Sequence, residues 1–353
     1  MKIKFIVFIS LLAISFSFVS CSKDEHRVFS DNYGVILDTL VYFTIQEAIN
    51  AANDGDTIYL TEGVYADKDD KNLYWNGNEK HLTITLHPEA KYAIIHCNGD
   101  GSGFNFDRTH QNTDDVIDGI TIRGAGSENA GIYCEETSPL IKNCQISGCR
   151  YTGIFCDYAD AKIENTIITK NKNGIIVYAS SPHIQWCTIQ DNSLDGIFVT
   201  EDATPIINNS LIIENKRGGI YCNTGSFHGI NNTIANNEDW GVWLYGGNPP
   251  VSYLTNSIIW GNGVGFKPEA ANLLVKYSCA QDSIPGINPD SLGNIYNNPM
   301  FIFPDDYYLH QGSPCINAGD NEPVTWDVDI AGNPRIVFET VDMGAYEWQG
   351  KSR

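Results

Sequence analysis

The chain has 353 residues, of which 42% are hydrophobic and 18% are charged, enough for one large domain or two. Its formal net charge is −21 at pH 7, so it lacks the clustered Lys and Arg that release counterions from phosphate backbones. The charge therefore argues against DNA or RNA as a partner.

The N-terminus predicts export of the chain. Two lysines precede an apolar run over residues 5–19, and Ser20 comes directly before Cys21, so residues 1–20 read as a signal peptide. This pattern resembles the lipobox of bacterial lipoproteins, and the next four residues, Ser-Lys-Asp-Glu, are similar to a tag for the outer face of the outer membrane. The resemblance implies acylation of Cys21, a tether over residues 21–40 and a lipid-anchored protein at the cell surface. A soluble secreted protein is the alternative.

The next segment predicts a short helix that caps the fold. Thr44 and Glu47 have the spacing of a capping box, and Asn-Asp-Gly at 53–55 ends the helix. One helical face is apolar, with Ile45, Ala48, Ile49 and Ala52. The sequence DTIYLTEGVY at 56–65 then reads as a first coil of strand. In the loop that follows, Tyr74 and Trp75 are a candidate pair for contacting sugar.

A repeat of about 22 residues fills the middle of the chain. Its marker is a glycine followed by Ile or Val, and the successive steps are 22, 21, 22, 23, 22 and 22 residues. A period this regular is typical of a solenoid, and no unit contains a run with helical spacing, so each unit is a coil of strand. The glycines are Gly131, Gly153, Gly174, Gly196, Gly219, Gly241 and Gly263.

Apolar columns at period two predict the inward face of each coil. The second residue of each unit is Ile in the first five, and the fourth is Cys, Val or Leu, so both side chains point to one side. Asparagine recurs about twelve residues after the glycine and predicts a hydrogen-bonded ladder along the stack. The predicted ladder runs through Asn143, Asn165, Trp186, Asn209, Asn232 and Asn256.

These columns resemble the right-handed parallel β-helix of the pectin-lyase-like superfamily, in which each coil adds one strand to each of three sheets. The fold class expected is all-β: a single-domain solenoid over residues 41–300 with an N-terminal capping helix. Residues 301–353, rich in Pro, Gly, Asn and Asp, are expected to form an irregular C-terminal cap. The resemblance specifies the fold and not the activity.

Aromatic residues occupy the third position of most units and predict a stripe on the outer face. On adjacent coils such rings would lie about 5 Å apart and offer a platform for sugar rings. The alternative is that the tail or the loop at 66–78 covers the stripe, because long exposed apolar stripes are uncommon. The candidate substrate-binding residues are Tyr133, Phe155, Phe198, Tyr221 and Trp243.

Acidic residues follow the stripe at the turns and are expected to converge on adjacent coils. The polysaccharide lyases of the resembled superfamily use calcium held by carboxylates, with Arg or Lys as the base. This implies Asp157 and Glu201 as catalytic acids, with Lys162 and His183 as nearby basic candidates. Calcium, the one candidate cofactor, would be held by Glu135, Glu136, Asp160 and Asp202. The alternative is that these carboxylates are ordinary solvated turn residues.

The remaining cysteines behave as small core residues. Ten cysteines less Cys21 leave nine, an odd number, so at least one thiol is unpaired within the chain. Cys134 and Cys156 stack on neighbouring coils and are a candidate disulfide, but the fold does not require one.

Taken together, these patterns predict a monomeric surface lipoprotein that binds extracellular polysaccharide along its side, with lyase or hydrolase activity as an open option. Uronate epimerisation shares the chemistry of a lyase and cannot be separated from it at this stage. The alternative from another class is a non-enzymatic adhesin or structural spacer, for which smooth, solvated sides are expected.

Overall fold

The computed structural model describes residues 34–75, 80–108, 114–246, 250–268, 272–283, 292–302 and 306–351. The signal segment and Cys21 lie outside the described residues, and so does most of the tether. Within the described ranges, no helix has the length and hydropathy needed to cross a membrane.

The described residues form a right-handed parallel β-solenoid of three sheets, as predicted, with about 22 residues per turn. Each turn adds one strand to sheet C, then one to sheet A, then one to sheet B. Sheet A runs through Leu40–Tyr42, Val35–Leu37, Thr57–Leu60, Thr83–Leu86, Val116–Asp118, Leu140–Lys142, Lys162–Glu164, His183–Gln185, Ile206–Asn208, His228–Ile230, Ser252–Thr255 and Leu273–Lys276. Sheet B runs through Gly63–Tyr65, Ala93–His96, Thr121–Arg123, Gln145–Ser147, Ile167–Thr169, Thr188–Gln190, Leu211–Ile213, Thr233–Ala235, Ile258–Trp260 and Cys279–Ala280. Sheet C runs through Phe104–Phe106, Ala130–Glu135, Thr152–Asp157, Asn173–Tyr178, Ile197–Thr200, Gly218–Asn223, Trp240–Tyr245 and Val264–Pro268.

The predicted inward columns form the core. Ile132 pairs in register with Ile154, and Cys134 pairs with Cys156, on neighbouring parallel strands of sheet C. All four side chains are fully buried, and the same holds along the column. The pairing places residues one repeat apart about 4.8 Å from each other along the solenoid axis.

The repeat glycines are explained by a close approach between coils. A Cβ atom at Gly153 would lie 2.8 Å from the carbonyl oxygen of Gly174 on the next coil and 2.7 Å from Cγ2 of Ile168. Real Cβ atoms essentially never approach other heavy atoms this closely, so a side chain would push the coils apart. The spacing assigned the last position to Gly263, but Gly241 meets the carbonyl of Gly265, so Gly265 continues the column.

A buried asparagine ladder crosses the interior at the turn between sheets B and C. Each carboxamide oxygen accepts the backbone N–H of the equivalent residue one coil earlier, at 2.9 to 3.2 Å, and each Nδ2 donates to a carbonyl in the neighbouring sheet B strand one coil earlier. These side chains therefore satisfy buried backbone groups that strand pairing leaves open. The rungs are Asn171, Asn192, Asn215, Asn237 and Asn262.

The predicted asparagine column is a different feature, at the turn between sheets A and B. Its residues have left-handed backbone conformations, for which asparagine is suited, with φ of 54° at Asn143 and 45° at Asn165. The side chains of these two form one rung, at 2.6 Å. Asn231, and not Asn232 as predicted, takes the turn position, with φ of 55°.

The predicted capping helix spans Ile45–Ala51, and Thr44 and Glu47 form the capping box. Ile45, Ala48 and Ile49 are buried in the same core as the first coils. Buried Lys80 donates hydrogen bonds to the carbonyls of Ile49 and Ala52 and so satisfies the C-terminal end of the helix.

The described tail packs on the outer side of sheet B and on the corner between sheets A and B. The Val328 carbonyl accepts hydrogen bonds from Trp186 Nε1 at 3.4 Å and from Asn209 Nδ2 at 2.9 Å. Tyr307 packs with Leu211 in a small apolar cluster on sheet B. The described part of the tail therefore stabilises a flank of the solenoid.

Candidate functional site

The outer face of sheet C carries the predicted aromatic column. Successive strands align the column in register, and its side chains are half-buried apart from Ile176, which is 4% exposed. The column consists of Asn105, Tyr133, Phe155, Ile176, Phe198, Tyr221, Trp243 and Lys267. The tail contacts described above lie on sheet B and its corner with sheet A, so they give no support to the expectation that the tail covers this face.

In the C-terminal half of the column, the rings stack on one another and do not present flat faces outward. The Phe198 and Tyr221 centroids are 5.2 Å apart with planes 10° from parallel, and Tyr221 and Trp243 are 4.5 Å apart at 24°. Lys267 Nζ lies 3.8 Å from the centroid of Trp243. Because the ring faces are occupied by neighbours, this half does not form the sugar platform predicted at Phe198, Tyr221 and Trp243.

A cationic network fixes the stacked half. Arg217 bonds to the carboxylate of Asp195, with Nε to Oδ1 at 2.9 Å, and the Asp195 side chain is fully buried. The Arg217 guanidinium lies 5.8 Å from the ring centroids of both Tyr221 and Trp240. These contacts hold the rings in place, so the positive charge of Arg217 has a structural role here.

The N-terminal half of the column is arranged differently. Tyr133 and Phe155 meet edge to face, with centroids 5.4 Å apart and planes at 73°, and Tyr151 and Phe155 meet at 67°. In an edge-to-face pair the partner covers at most one face of one ring, so the other ring faces are not covered within the pair. The repeat predicts Tyr133 and Phe155 as ligand-contacting residues, whereas Tyr151, two residues before a repeat glycine, lies outside the predicted column.

A depression of about 530 Å³ opens over these three rings. Its volume lies within the range of small-molecule and cofactor sites in proteins. Amide, hydroxyl and carboxylate groups complete the lining, and Lys172 Nζ stands 6.0 Å from the centroid of Tyr151. The lining residues besides the rings are Asn72, Ser102, Asn105, Ser127, Glu128, Asn129 and Ala130.

The predicted catalytic acid Asp157 lies at the end of the strand that carries Phe155. Its Oδ2 accepts a hydrogen bond from the Tyr133 hydroxyl at 2.9 Å. Burial first, and then this hydrogen bond, raise the pKa of Tyr133, so its hydroxyl stays protonated as a donor at neutral pH. Asp157 thus fixes the orientation of a ring that lines the depression.

Asp157 and Glu201 do not stand on adjacent coils as predicted. Asp157 pairs in register with Tyr178, and Tyr178 pairs with Thr200, the residue before Glu201. The two acids are therefore two coils apart, about 10 Å along the axis, with Tyr178 between them. Glu201 lies in an exposed turn with φ of 52°.

The predicted basic residues lie on another sheet. Lys162 and His183 pair in register at the start of their sheet A strands, and both are exposed. The depression lies on sheet C, and none of its lining residues belongs to sheet A. The structure therefore does not place these bases against the depression.

The predicted calcium ligands do not form one cluster, and two of them bond to other groups of the protein. Glu135 bonds to Arg108 at 2.6 Å, and Asp160 accepts the backbone N–H of Ser181 at 2.6 Å. Glu136 and Asp202 are exposed turn residues. Among the residues that the structure describes, no group of three His, Cys, Asp or Glu side chains is arranged to hold a metal ion, so the calcium expectation rests on the resemblance alone.

The predicted pair Tyr74 and Trp75 is divided between surface and core. Trp75 is 2% exposed and packs against Phe106 with centroids 4.6 Å apart, so it is not available to a ligand. Tyr74 is 43% exposed, and its backbone exchanges hydrogen bonds with the side chain of Gln46. Trp75 instead packs against the first coils. This role was not predictable, because the alternation of inward and outward side chains applies only within strands and Trp75 lies in a loop.

Comparisons with known proteins agree with this architecture. Residues 93–259 match the family model described as "Right handed beta helix region". Among solved structures, the chain is similar to pectate lyase Pel9A, at 16% identity and a TM-score of 0.54, over 86% of this chain and 90% of that one. It is similar to XylC, solved in complex with xylose, at 11% identity and a TM-score of 0.54, over 83% of this chain and 65% of that one.

No match was found among curated proteins. At these identities the structural likeness establishes the fold alone. The family match, the register of the three sheets and the solved structures lead to one conclusion: the chain is a right-handed parallel β-helix protein with a fold like that of pectate lyase.

Proposed function

We propose that the protein binds a polysaccharide in the depression on the outer face of sheet C. The observation that carries the proposal is the arrangement of Tyr133, Tyr151 and Phe155, whose rings meet edge to face and line an open site. Ring faces pack against the C–H faces of sugars, and amide side chains donate to and accept from hydroxyl groups. Asn105 and Asn129 line the same depression and supply such groups.

The described residues favour binding over turnover. A lyase needs a base directed at the sugar, and a glycosidase needs two carboxyl groups flanking the bond to be cleaved. Glu128 is the single carboxylate in the described lining, so a glycosidase pair is not present there, and Asp157 is engaged with Tyr133. Lys162 and His183 lie on sheet A, and Lys172, with Nζ 6.0 Å from the Tyr151 centroid, is the basic group beside the depression that a turnover assay tests. We therefore propose a binding protein, and a lyase or hydrolase is an outcome to be tested.

The proposed location is the cell surface, with acylated Cys21 as the anchor. The signal segment, the small residue before Cys21 and the acidic tag after it support this proposal. Sheet A already includes Val35–Leu37, so the tether expected up to residue 40 ends before Val35; a tether of that length would hold the solenoid away from the lipid, where its side is accessible to long glycans. Labelling with palmitate, with a Cys21→Ser variant as control, tests the anchor.

Two aromatic substitutions in one column test the binding site. Affinity for a panel of neutral and acidic polysaccharides is measured by calorimetry for the wild type, Phe155→Ala and Phe198→Ala. Phe155 lines the depression, whereas Phe198 belongs to the same column, is also half-buried and is stacked against Tyr221. We expect Phe155→Ala to weaken binding about tenfold or more and Phe198→Ala to change it less than about twofold.

Equal losses in the two variants would contradict the assignment to the depression. Absence of binding across the panel would favour the adhesin or spacer. The same samples are monitored for unsaturated uronate ends and for reducing ends, and turnover that survives Asp157→Ala would exclude that residue as the catalytic acid.

A further inference from the structure

One pair of buried cysteines joins two separate parts of the chain. Cys279 lies in the last strand of sheet B, and Cys315 lies in the tail. Both are 0% exposed and share one apolar cluster with Leu309 and Met343. Within that cluster the two side chains lie next to each other, and Cys279 Sγ also donates to the Asn297 carbonyl oxygen at 3.1 Å. The two thiols therefore meet across the junction between the solenoid and the tail.

The stacked pair Cys134 and Cys156 lacks this geometry. These residues are direct register partners on parallel strands, so their Cβ atoms point the same way at about the strand spacing of 4.8 Å. A disulfide requires Cβ atoms about 3.5 to 4.5 Å apart and a dihedral near 90°, which parallel side chains do not provide. Residues that approach from two different segments have no such restriction.

We propose that Cys279 and Cys315 form a disulfide that fastens the tail to the last coil. The reaction is thiol–disulfide exchange with a small-molecule or protein disulfide as oxidant. One cysteine thiolate attacks the oxidant and releases a thiolate, and the second cysteine thiolate then attacks the mixed disulfide and releases the other. The two cysteines lose two electrons and two protons, and the oxidant becomes two thiols.

The cross-link forms before the tail is fully packed. Both sulfur atoms are shielded from solvent in the folded chain, so the oxidant must reach them during folding. The bond closes a loop of about 37 residues and restricts the unfolded chain. The inference is independent of the proposed carbohydrate site, because the depression lies on sheet C and the cluster lies on sheet B.

Chemical cleavage at methionine separates the two cysteines and gives a direct test. After Met1, the chain has only Met300 and Met343, so cyanogen bromide releases residues 301–343, which contain Cys315 as their single cysteine. The protein is refolded with oxidised and reduced glutathione, its remaining thiols are alkylated in denaturant, and it is then cleaved. We expect fragment 301–343 to remain attached to the N-terminal fragment without reductant and to separate when reductant is added.

The cysteine variants identify the partner. Cys279→Ser and Cys315→Ser should each release the fragment without reductant, whereas Cys134→Ser should retain it. The oxidised wild type should melt about 5 °C above its reduced form. Release of the fragment from oxidised wild type would overturn the proposal on its own, whatever the variants do, and so would its retention in Cys279→Ser.

Discussion

The buried asparagine ladder gives the sharpest prediction about what holds the coils together. The Asn215 side chain makes four hydrogen bonds: Nδ2 donates to the Ile189 carbonyl at 3.2 Å and to Asn237 Oδ1 at 2.9 Å, and Oδ1 accepts from the backbone N–H and the Nδ2 of Asn192 at 3.2 and 2.9 Å. Asn215 is fully buried, so water cannot replace these bonds.

The Asn215→Ala substitution should cost about 4 kcal/mol in the free energy of unfolding. Each lost hydrogen bond contributes about 1 kcal/mol, and a buried N–H left without a partner costs about 1 to 3 kcal/mol. The control is Asn208→Ala, because Asn208 is half-buried on sheet A and its Oδ1 has no hydrogen-bond partner among the described residues. We expect that control to cost less than about 0.5 kcal/mol.

Urea denaturation followed by far-ultraviolet circular dichroism measures both variants. The midpoint should fall clearly for Asn215→Ala and remain near the wild-type value for Asn208→Ala, with similar slopes. Similar midpoints for the two variants would refute the claim that the ladder satisfies backbone groups no other element reaches.

Three further substitutions test the packing, and melting temperature reports on each. Gly153→Ala should destabilise strongly, because its Cβ would lie 2.8 Å from the next coil's carbonyl oxygen, whereas Gly312→Ala, whose Cβ would meet nothing nearer than 3.6 Å, should have little effect. Trp75→Ala should cost about 3 to 5 kcal/mol and Tyr74→Ala under about 1, and equal effects would contradict the burial of Trp75. Burial raises the pKa of Glu347 to about 8, so the folded state holds a proton that the unfolded state releases above pH 4.5, and stability should fall as pH rises from about 5 to 8. In Glu347→Gln that decline should flatten, and an unchanged pH profile would exclude Glu347 as its source.

The sequence predicted the solenoid because its repeat is simple in physical terms. The position of Ile154 in the repeat must be apolar and point inward on every coil. The period therefore determines which residues stack and in which register. The capping helix was predictable for a similar reason, because Thr44 and Glu47 act within one turn of helix. Both features depend on local spacing alone.

Orientation within the columns was not predictable. The spacing places Phe198 and Tyr221 on neighbouring coils, but whether their rings face solvent or each other depends on side-chain torsions and on Lys267 and Arg217 beside them. The same spacing predicted Glu201 on the coil next to Asp157, although the coil that carries Tyr178 lies between them.

The asparagine repeat is a true signal of a hydrogen-bonded ladder, but the ladder lies at another turn than the one predicted. The buried ladder repeats at Asn171, Asn192 and Asn215 with nearly the period of the glycines, but the asparagines at the turn between sheets A and B show the same period. The contacts that the tail makes with the solenoid are not marked by any repeat in the sequence. Val328 meets Trp186 across 142 positions of sequence, and no repeat constrains that distance.

A crystal structure with an oligosaccharide from the polysaccharide that binds most tightly tests the central claim most directly. We predict sugar density in the depression, with a pyranose ring against Phe155 or Tyr151 and hydrogen bonds to Asn105 or Asn129. Sugar bound over the stacked rings of Phe198 and Tyr221, or on sheet A beside Lys162, with the depression empty, would contradict it.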